Sequence, residues 1–324
     1  MNVPQNTRQD DQIVPFAVEE LDIRGRVVRL GASIDKILRR HAYPESVARV
    51  VGEAVVLAAL LGSSLKLEGS FQVQTKSDGP VDRIVVDFTA PGMIRAYARF
   101  DKDAVFALGT GVLKTFDLLG KGILALTIDP GGDLKRYQGI VELGEEGFEG
   151  AADLYFRQSE QIPTRVRLAV AEQFENGQQH FRAGGMIIQF LPSSEERMKK
   201  RQESREEAVD EADILDLSEE DNNWTEARLL CDTIEDHELV DPVLSSEELL
   251  YRLYHEQGVR VFPAETVHEE CRCSRERVMK MLLGFSQEDR DAMQDDAKHI
   301  GVTCEFCSRH YDFTAGELES ATVE

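Results

Sequence analysis

Four of the five cysteines in this 324-residue chain fall into two tight pairs near its end, Cys271-Arg272-Cys273 and, thirty residues later, Cys304-Glu305-Phe306-Cys307. That spacing restricts what the last quarter of the chain can fold into. Two short-range thiol pairs closing one loop supply the four ligands of a tetrahedral zinc site, with Zn–S bonds of about 2.3 Å. In an extended stretch residues i and i+2 face the same side, so Cys271 and Cys273 can both address one metal. Cys304 and Cys307 have the commoner C-x-x-C turn spacing. The alternatives are a pair of structural disulfides or four unrelated thiols. Residues 251–324 are expected to form a small domain that needs a staple to fold, and a metal supplies one. His268 and His310 are candidate substitute ligands, although four thiolates already complete a tetrahedron.

Residues 1–192 read as an α+β core domain. Ser33–His41 and Glu45–Leu61 have helical periodicity, the second with Val47, Val50, Val51, Ala54, Ala58 and Leu61 on one broad face. Strands are expected at Phe71–Thr75, Ile84–Phe88, Ile94–Phe100, Ile123–Ile128, Tyr137–Leu143, Arg165–Ala171 and Gly185–Leu191, with a further helix over Gly150–Gln161. Strands outnumber helices and short turns join several neighbours, which predicts a largely antiparallel sheet rather than a doubly wound one.

Composition shifts after Pro192. Residues 193–250 hold twenty acidic residues against six basic ones, a net of −14 out of −23 for the whole chain. Ile214, Leu215, Leu217, Trp224, Leu229, Leu230 and Ile234 are among the apolar positions scattered there. Such a segment is expected to be a marginal, helical linker, ordered only when packed. Cys231 stands apart from the paired cysteines and reads as a small buried hydrophobe beside Leu229 and Leu230. Beyond it, Ser245–Tyr254 opens with a capping box. Short strands are expected near Val259–Phe262 and Thr266–Cys273, and helices near Arg275–Leu283 and Glu288–Asp296.

Charge and motifs exclude several classes. A net charge of −23 argues against general nucleic-acid binding, which rewards lysine and arginine. Gly120-Lys121 lacks the rest of a phosphate loop, Gly109-Thr110-Gly111 lacks a third glycine, and neither His255-Glu256 nor His268-Glu269 has the second histidine of a zinc-protease helix. The longest apolar run, Ala54–Leu61, is too short to span a bilayer, and the N-terminus has no secretory pattern. A cytoplasmic protein that is not an enzyme is therefore expected.

The C-x-C pair is unusual for a purely structural ribbon. Zinc holds sulfur as thiolate, the form that peroxide attacks. Within each pair the sulfurs are near enough to join, and a disulfide across one residue is strained and readily reduced. Arg272, Arg275, Arg277 and Arg309 are available to offset the site's charge. Structural zinc contributes roughly 10–16 kcal/mol in small domains, as much as the whole stability of a typical domain. Losing it should unfold the C-terminal module.

Glu269–Val278 and Cys304–Tyr311 resemble the zinc centre of the thirty-three-kilodalton heat-shock protein family, redox-regulated bacterial chaperones. Arg136–Val141, Tyr155–Arg165, Ala183–Gln189 and Leu250–Glu256 resemble the same family, in the same order along the chain. The 193–250 segment departs from it in being longer and more acidic. The resemblance implies that the reduced chain binds one Zn²⁺ through Cys271, Cys273, Cys304 and Cys307. It implies that oxidation forms Cys271–Cys273 and Cys304–Cys307 disulfides, releases zinc and unfolds the C-terminal domain and linker. The exposed apolar surface would hold unfolding or oxidatively damaged clients without ATP, as a homodimer, and pass them to ATP-dependent chaperones; neither nucleic acid nor membrane is an expected partner. Client-binding residues carry no sequence signature. The rival readings are a thiol-disulfide oxidoreductase using Cys304 and Cys307, which lacks the expected βαβ context, and a zinc-ribbon adaptor, which the charge disfavours.

Overall fold

The computed structural model describes residues 10–64, 69–109, 111, 113–132, 134–175, 177–191 and 221–321. The chain divides into two compact units, Met1–Glu269 and Glu270–Glu324. The class is α+β, and the pairing is antiparallel almost throughout.

The larger unit contains two sheets where the sequence suggested one. The first holds β1 (Gln12–Val18), β2 (Ile23–Leu30), β8 (Thr164–Glu175), β9 (Gln178–Phe190), β10 (Val259–Val261) and β11 (Glu265–Thr266). Its order is β10-β1-β2-β9-β8, with β11 also on β1. The second holds β3 (Ser70–Ser77), β4 (Val81–Thr89), β5 (Met93–Phe100), β6 (Gly122–Asp129), β7 (Tyr137–Leu143) and β12 (His268–Glu269), in the order β12-β5-β4-β3-β6-β7. Among the described strands only β12, lying parallel to β5, departs from antiparallel pairing. Residues 251–269 belong to this unit because β10, β11 and β12 extend its sheets.

Helix α2 (Glu45–Gly62) explains the second sheet. Fourteen of its eighteen residues are buried, so it is apolar all round rather than on one face. A helix of that kind must be covered on every side. Strands β2, β8 and β9 cover one side and β3, β4 and β5 the other. Helix α1 (Ala32–Arg40) adds Ile34, Ile37 and Leu38 to the same core. The helix expected over Gly150–Gln161 is two pieces, α5 (Gly147–Tyr155) and one π turn over Phe156–Glu160. That turn ends at Gln161, whose left-handed φ of 52° precedes Ile162-Pro163. Shorter helices are α3 (Lys102–Ala107) and α4 (Thr115–Leu119).

The opposite face of the first sheet is also buried. Helices α6 (Asn222–Asp232), α7 (Asp236–Val240) and α8 (Ser246–Tyr254) pack Trp224, Ala227, Cys231, Ile234, Leu239, Leu250 and Tyr254 against Phe16, Val27, Met186, Ile188 and Phe190. The 221–250 part of the acidic segment is thus helical and docked. Ile214, Leu215 and Leu217 lie outside the described residues. Cys231 is fully buried, whereas Leu229 beside it is 56% exposed.

The docking is close at Gly184. A Cβ there would lie 2.1 Å from the carbonyl oxygen of Leu239 in α7. Gly184→Val should push α7 off the sheet, at a cost of roughly 1–3 kcal/mol for overpacking. Hydrogen exchange should then accelerate across 236–254 while amides of β9 stay protected. Unchanged exchange would mean that α7 absorbs the side chain in place.

The smaller unit holds α9 (Arg275–Leu283), α10 (Gln287–Ala292), the hairpin of β13 (His299–Thr303) and β14 (His310–Thr314), and α11 (Ala315–Ala321). Its buried core is Leu282, Ile300, Tyr311, Phe313 and Leu318. Arg275 stacks over the Phe313 ring at 4.3 Å and pairs with Glu317 at 2.8 Å. The strand expected over Thr266–Cys273 stops at Glu269, and residues 270–273 are irregular as they lead into the cysteine cluster.

Candidate metal centre

Local sequence places each sulfur. Thr303 pairs with His310 at the end of the β13–β14 hairpin, so Cys304–Arg309 is its loop. The Ser308 N–H donates to the Cys304 carbonyl at 2.8 Å, and the Cys304 N–H donates to the Arg309 carbonyl at 3.0 Å. Ser308 adopts a left-handed φ of 55°, which reverses the chain after the C-x-x-C turn. Cys271 and Cys273 lie on the irregular approach to α9, whose cap is Ser274, with its hydroxyl accepting from the Arg277 N–H at 3.2 Å. Arg277 fixes the same stretch by donating to the Arg272 carbonyl at 2.6 Å.

All four sulfurs lie within 4.8 Å of one another. Cys271 is 3.7 Å from Cys304, and Cys273 is 3.2 Å from Cys307. None of the five cysteines is in a disulfide. Tetrahedral thiolate ligands at about 2.3 Å from a metal sit about 3.8 Å apart, whereas bonded sulfurs sit about 2.0 Å apart. The donor set fits a metal ion. Four thiolates this close repel one another unless a cation lies among them.

The thiols are also differentiated. Burial raises the Cys273 thiol, yet the Tyr311 hydroxyl, donating to its sulfur at 3.2 Å, and the neighbouring thiols outweigh burial and bring its pKa down to about 7. Burial pushes the Cys304 thiol up, against the backbone N–H groups of Cys307 and Phe306. Cys307 is also pushed up by burial, against the Arg309 backbone.

His310 does not join this cluster; its ring contacts Thr303 Oγ1 at 2.8 Å and Asp312 Oδ1 at 3.0 Å. His268 belongs to the larger unit. Of the four arginines, Arg309 interacts with the Tyr311 hydroxyl and with the Cys273 and Cys307 charge, which raises its own pKa. Tyr311 was the site residue that sequence reasoning passed over. It lies two residues from Phe313 on the buried face of β14, and nothing in its sequence neighbourhood marks it as more than core.

The family model for Hsp33 protein matches residues 11–314, nearly the full length of the chain. The chain belongs to the Hsp33 family. A 33 kDa chaperonin of Caulobacter vibrioides strain NA1000 / CB15N is 42% identical over 304 residues, covering 93% of this chain and 94% of that protein. Another from Pseudomonas paraeruginosa is 34% identical over 309 residues, covering 95% and 93%. The solved structure of the Hsp33 homologue from Thermotoga maritima matches with a TM-score of 0.71 over 96% of this chain and 97% of that one, at 19% identity, a likeness of fold. Among the described residues no helix is long and apolar enough to cross a membrane.

Cys231 is chemically separate from the centre. Burial and the nearby Asp232 raise its thiol pKa to about 12, so it stays protonated and is a poor target for oxidants. Cys231→Ser should leave one metal per chain and lower stability by about 1–3 kcal/mol, because it buries a hydroxyl. Metal analysis and thermal unfolding check both, and a variant that loses metal would contradict the separation.

Proposed function

We propose that this protein is a redox-regulated, ATP-independent holdase chaperone of the cytoplasm, active under oxidative stress. The observation that carries the reading is the cluster of four unbridged sulfurs in a small unit whose buried core is five side chains. In the reduced state Cys271, Cys273, Cys304 and Cys307 hold one Zn²⁺, which keeps them as thiolates and staples residues 270–324. Formation of the Cys271–Cys273 and Cys304–Cys307 bonds passes two electrons each to peroxide, which leaves as water, and withdraws all four ligands from the metal.

A five-residue core cannot then hold the unit together. The 221–254 helices, part of the marginal acidic segment, are proposed to undock next. Their departure uncovers Phe16, Val27, Met186, Ile188 and Phe190, an apolar face able to bind unfolding proteins. The active form is proposed to be a homodimer whose clients pass to ATP-dependent chaperones after reduction restores the thiols.

Titrating the reduced, zinc-loaded chain with peroxide tests the chemistry. Metal release should rise in step with loss of four free thiols, and peptide mapping should recover both within-pair disulfides. Recovery of Cys271–Cys304 or Cys273–Cys307 bonds, pairs 3.7 and 3.2 Å apart in the reduced arrangement, would overturn the pairing.

A further inference from the structure

The face under helices α6–α8 is not simply apolar, because four arginines point from the first sheet into the docked acidic segment. Arg29 of β2 donates to the Asp241 carbonyl at 2.9 Å and to the Glu238 carbonyl at 2.8 Å. Arg182 of β9 donates to the Val240 carbonyl at 2.9 Å, and Gln173 of β8 donates to the same oxygen at 3.0 Å. These bonds satisfy carbonyls at the C-terminal end of α7, which a helix leaves without internal partners. Arg165 and Arg167 of β8 reach the side chains, Asp232 at 2.6 Å and Asp236 at 3.0 Å. Arg165 and Arg167 sit in register with Ile188 and Met186, so cations and apolar side chains alternate on one surface.

The occupant matches that surface. Residues 232–241 carry Asp232, Glu235, Asp236, Glu238 and Asp241 around the buried pair Leu239 and Val240. Asp10, Asp153 and Glu149 remain beside Arg182, Arg165 and Arg167 when the segment leaves. The uncovered face therefore offers directed N–H donors next to apolar area rather than a strong positive field.

We infer that this face selects client segments in which carboxylates flank leucine-type residues, the acidic segment being its resting-state stand-in, with Arg165 and Arg167 reading the acidic positions while Arg29 and Arg182 hold backbone carbonyls. The inference rests on the holdase reading and names the class of segment that the holdase prefers. Charge-assisted hydrogen bonds to such a segment are stronger than neutral ones.

Two fluorescent peptides test it, one with aspartate and glutamate interspersed among leucines and valines, the other with asparagine and glutamine at the same places. Each is titrated against the full chain after peroxide oxidation and metal release. The acidic peptide should bind roughly tenfold tighter, with the gap closing as salt rises from about 0.1 M towards about 1 M. R165Q/R167Q should remove most of the preference, because both side chains sit at the rim, whereas Arg29 is buried within the sheet. Equal binding, binding of neither peptide, or a preference that the double variant leaves intact would overturn the inference. If that variant does not fold, the peptide pair and its salt dependence on the unaltered chain decide. Client aggregation is followed on the same oxidised samples. Protection without charge preference removes this inference alone, whereas absence of protection removes the holdase reading beneath it.

Discussion

Replacing Cys304 and Cys307 together with serine should abolish metal retention and leave residues 270–324 unfolded, while both sheets of the larger unit persist. The magnitude follows from the size of the core. Among the described residues of the smaller unit the fully buried core is Leu282, Ile300, Tyr311, Phe313 and Leu318, with Cys273, Val278, Met279, Leu283 and Val302 partly buried against it. So small a core is the kind that needs a staple, and structural zinc contributes about 10–16 kcal/mol in small domains. Hydrogen exchange of the reduced variant should show full exchange across 275–283 and 299–314 with protection kept in β2, β3, β4 and β9. A smaller unit that stays protected without metal would show that its own packing suffices and that oxidation has no switch to throw.

Leu250→Asp should open the docked helices without any oxidation. Leu250, a residue of α8, is completely buried in the layer that includes Tyr254, Trp224 and Phe16. An unpaired carboxylate there costs several kcal/mol, through either desolvation or forced protonation. Undocking avoids that cost, and the segment's net negative charge makes it soluble once free. The reduced protein should still carry one metal, yet bind a hydrophobic dye and protect a client from aggregation. Trp224 is the sole tryptophan, 3% exposed and 6.1 Å from the Phe190 ring, so its emission should shift to the red as the helices leave. Leu229→Asp is the control: Leu229 is 56% exposed on the neighbouring helix, and its substitution should change none of these readouts. A metal-loaded, undocked Leu250→Asp protein that fails to protect clients would place the client surface elsewhere.

How far the sequence was legible depended on how local each feature is. The metal centre was legible because its ligands come as two short-range pairs, and the hairpin loop and helix cap that aim them are local structures. Strands β3 to β9 and helices α1, α2 and α9 were legible from periodicity. Strands β1 and β2 were not. Pro15 interrupts Gln12–Val18, and Ile23–Leu30 reads as polar with Arg24, Arg26 and Arg29. Their reason lies in tertiary packing: Gly25 leaves room for the Phe16 ring, which a Cβ would meet at 2.4 Å, and Arg29 finds carbonyls more than two hundred residues away. The linker was expected to be helical, and Ser245–Tyr254 was legible from its capping box, but the docking of these helices was hidden for the same reason. Trp224, Cys231, Leu239 and Leu250 look scattered along an acidic stretch and become one layer only against Met186, Ile188 and Phe190. The arginine donors beneath them carry no motif, because what they read is largely backbone carbonyl.

The central claim is that oxidation of the sulfur cluster turns client binding on. Light scattering of a thermally unfolding client measures this directly, with zinc-loaded reduced protein in one arm and peroxide-oxidised protein in the other. The account predicts that only the oxidised protein suppresses aggregation, and that reductant with zinc returns it to the inactive state. Equal suppression by the two forms, or none by either, would contradict it.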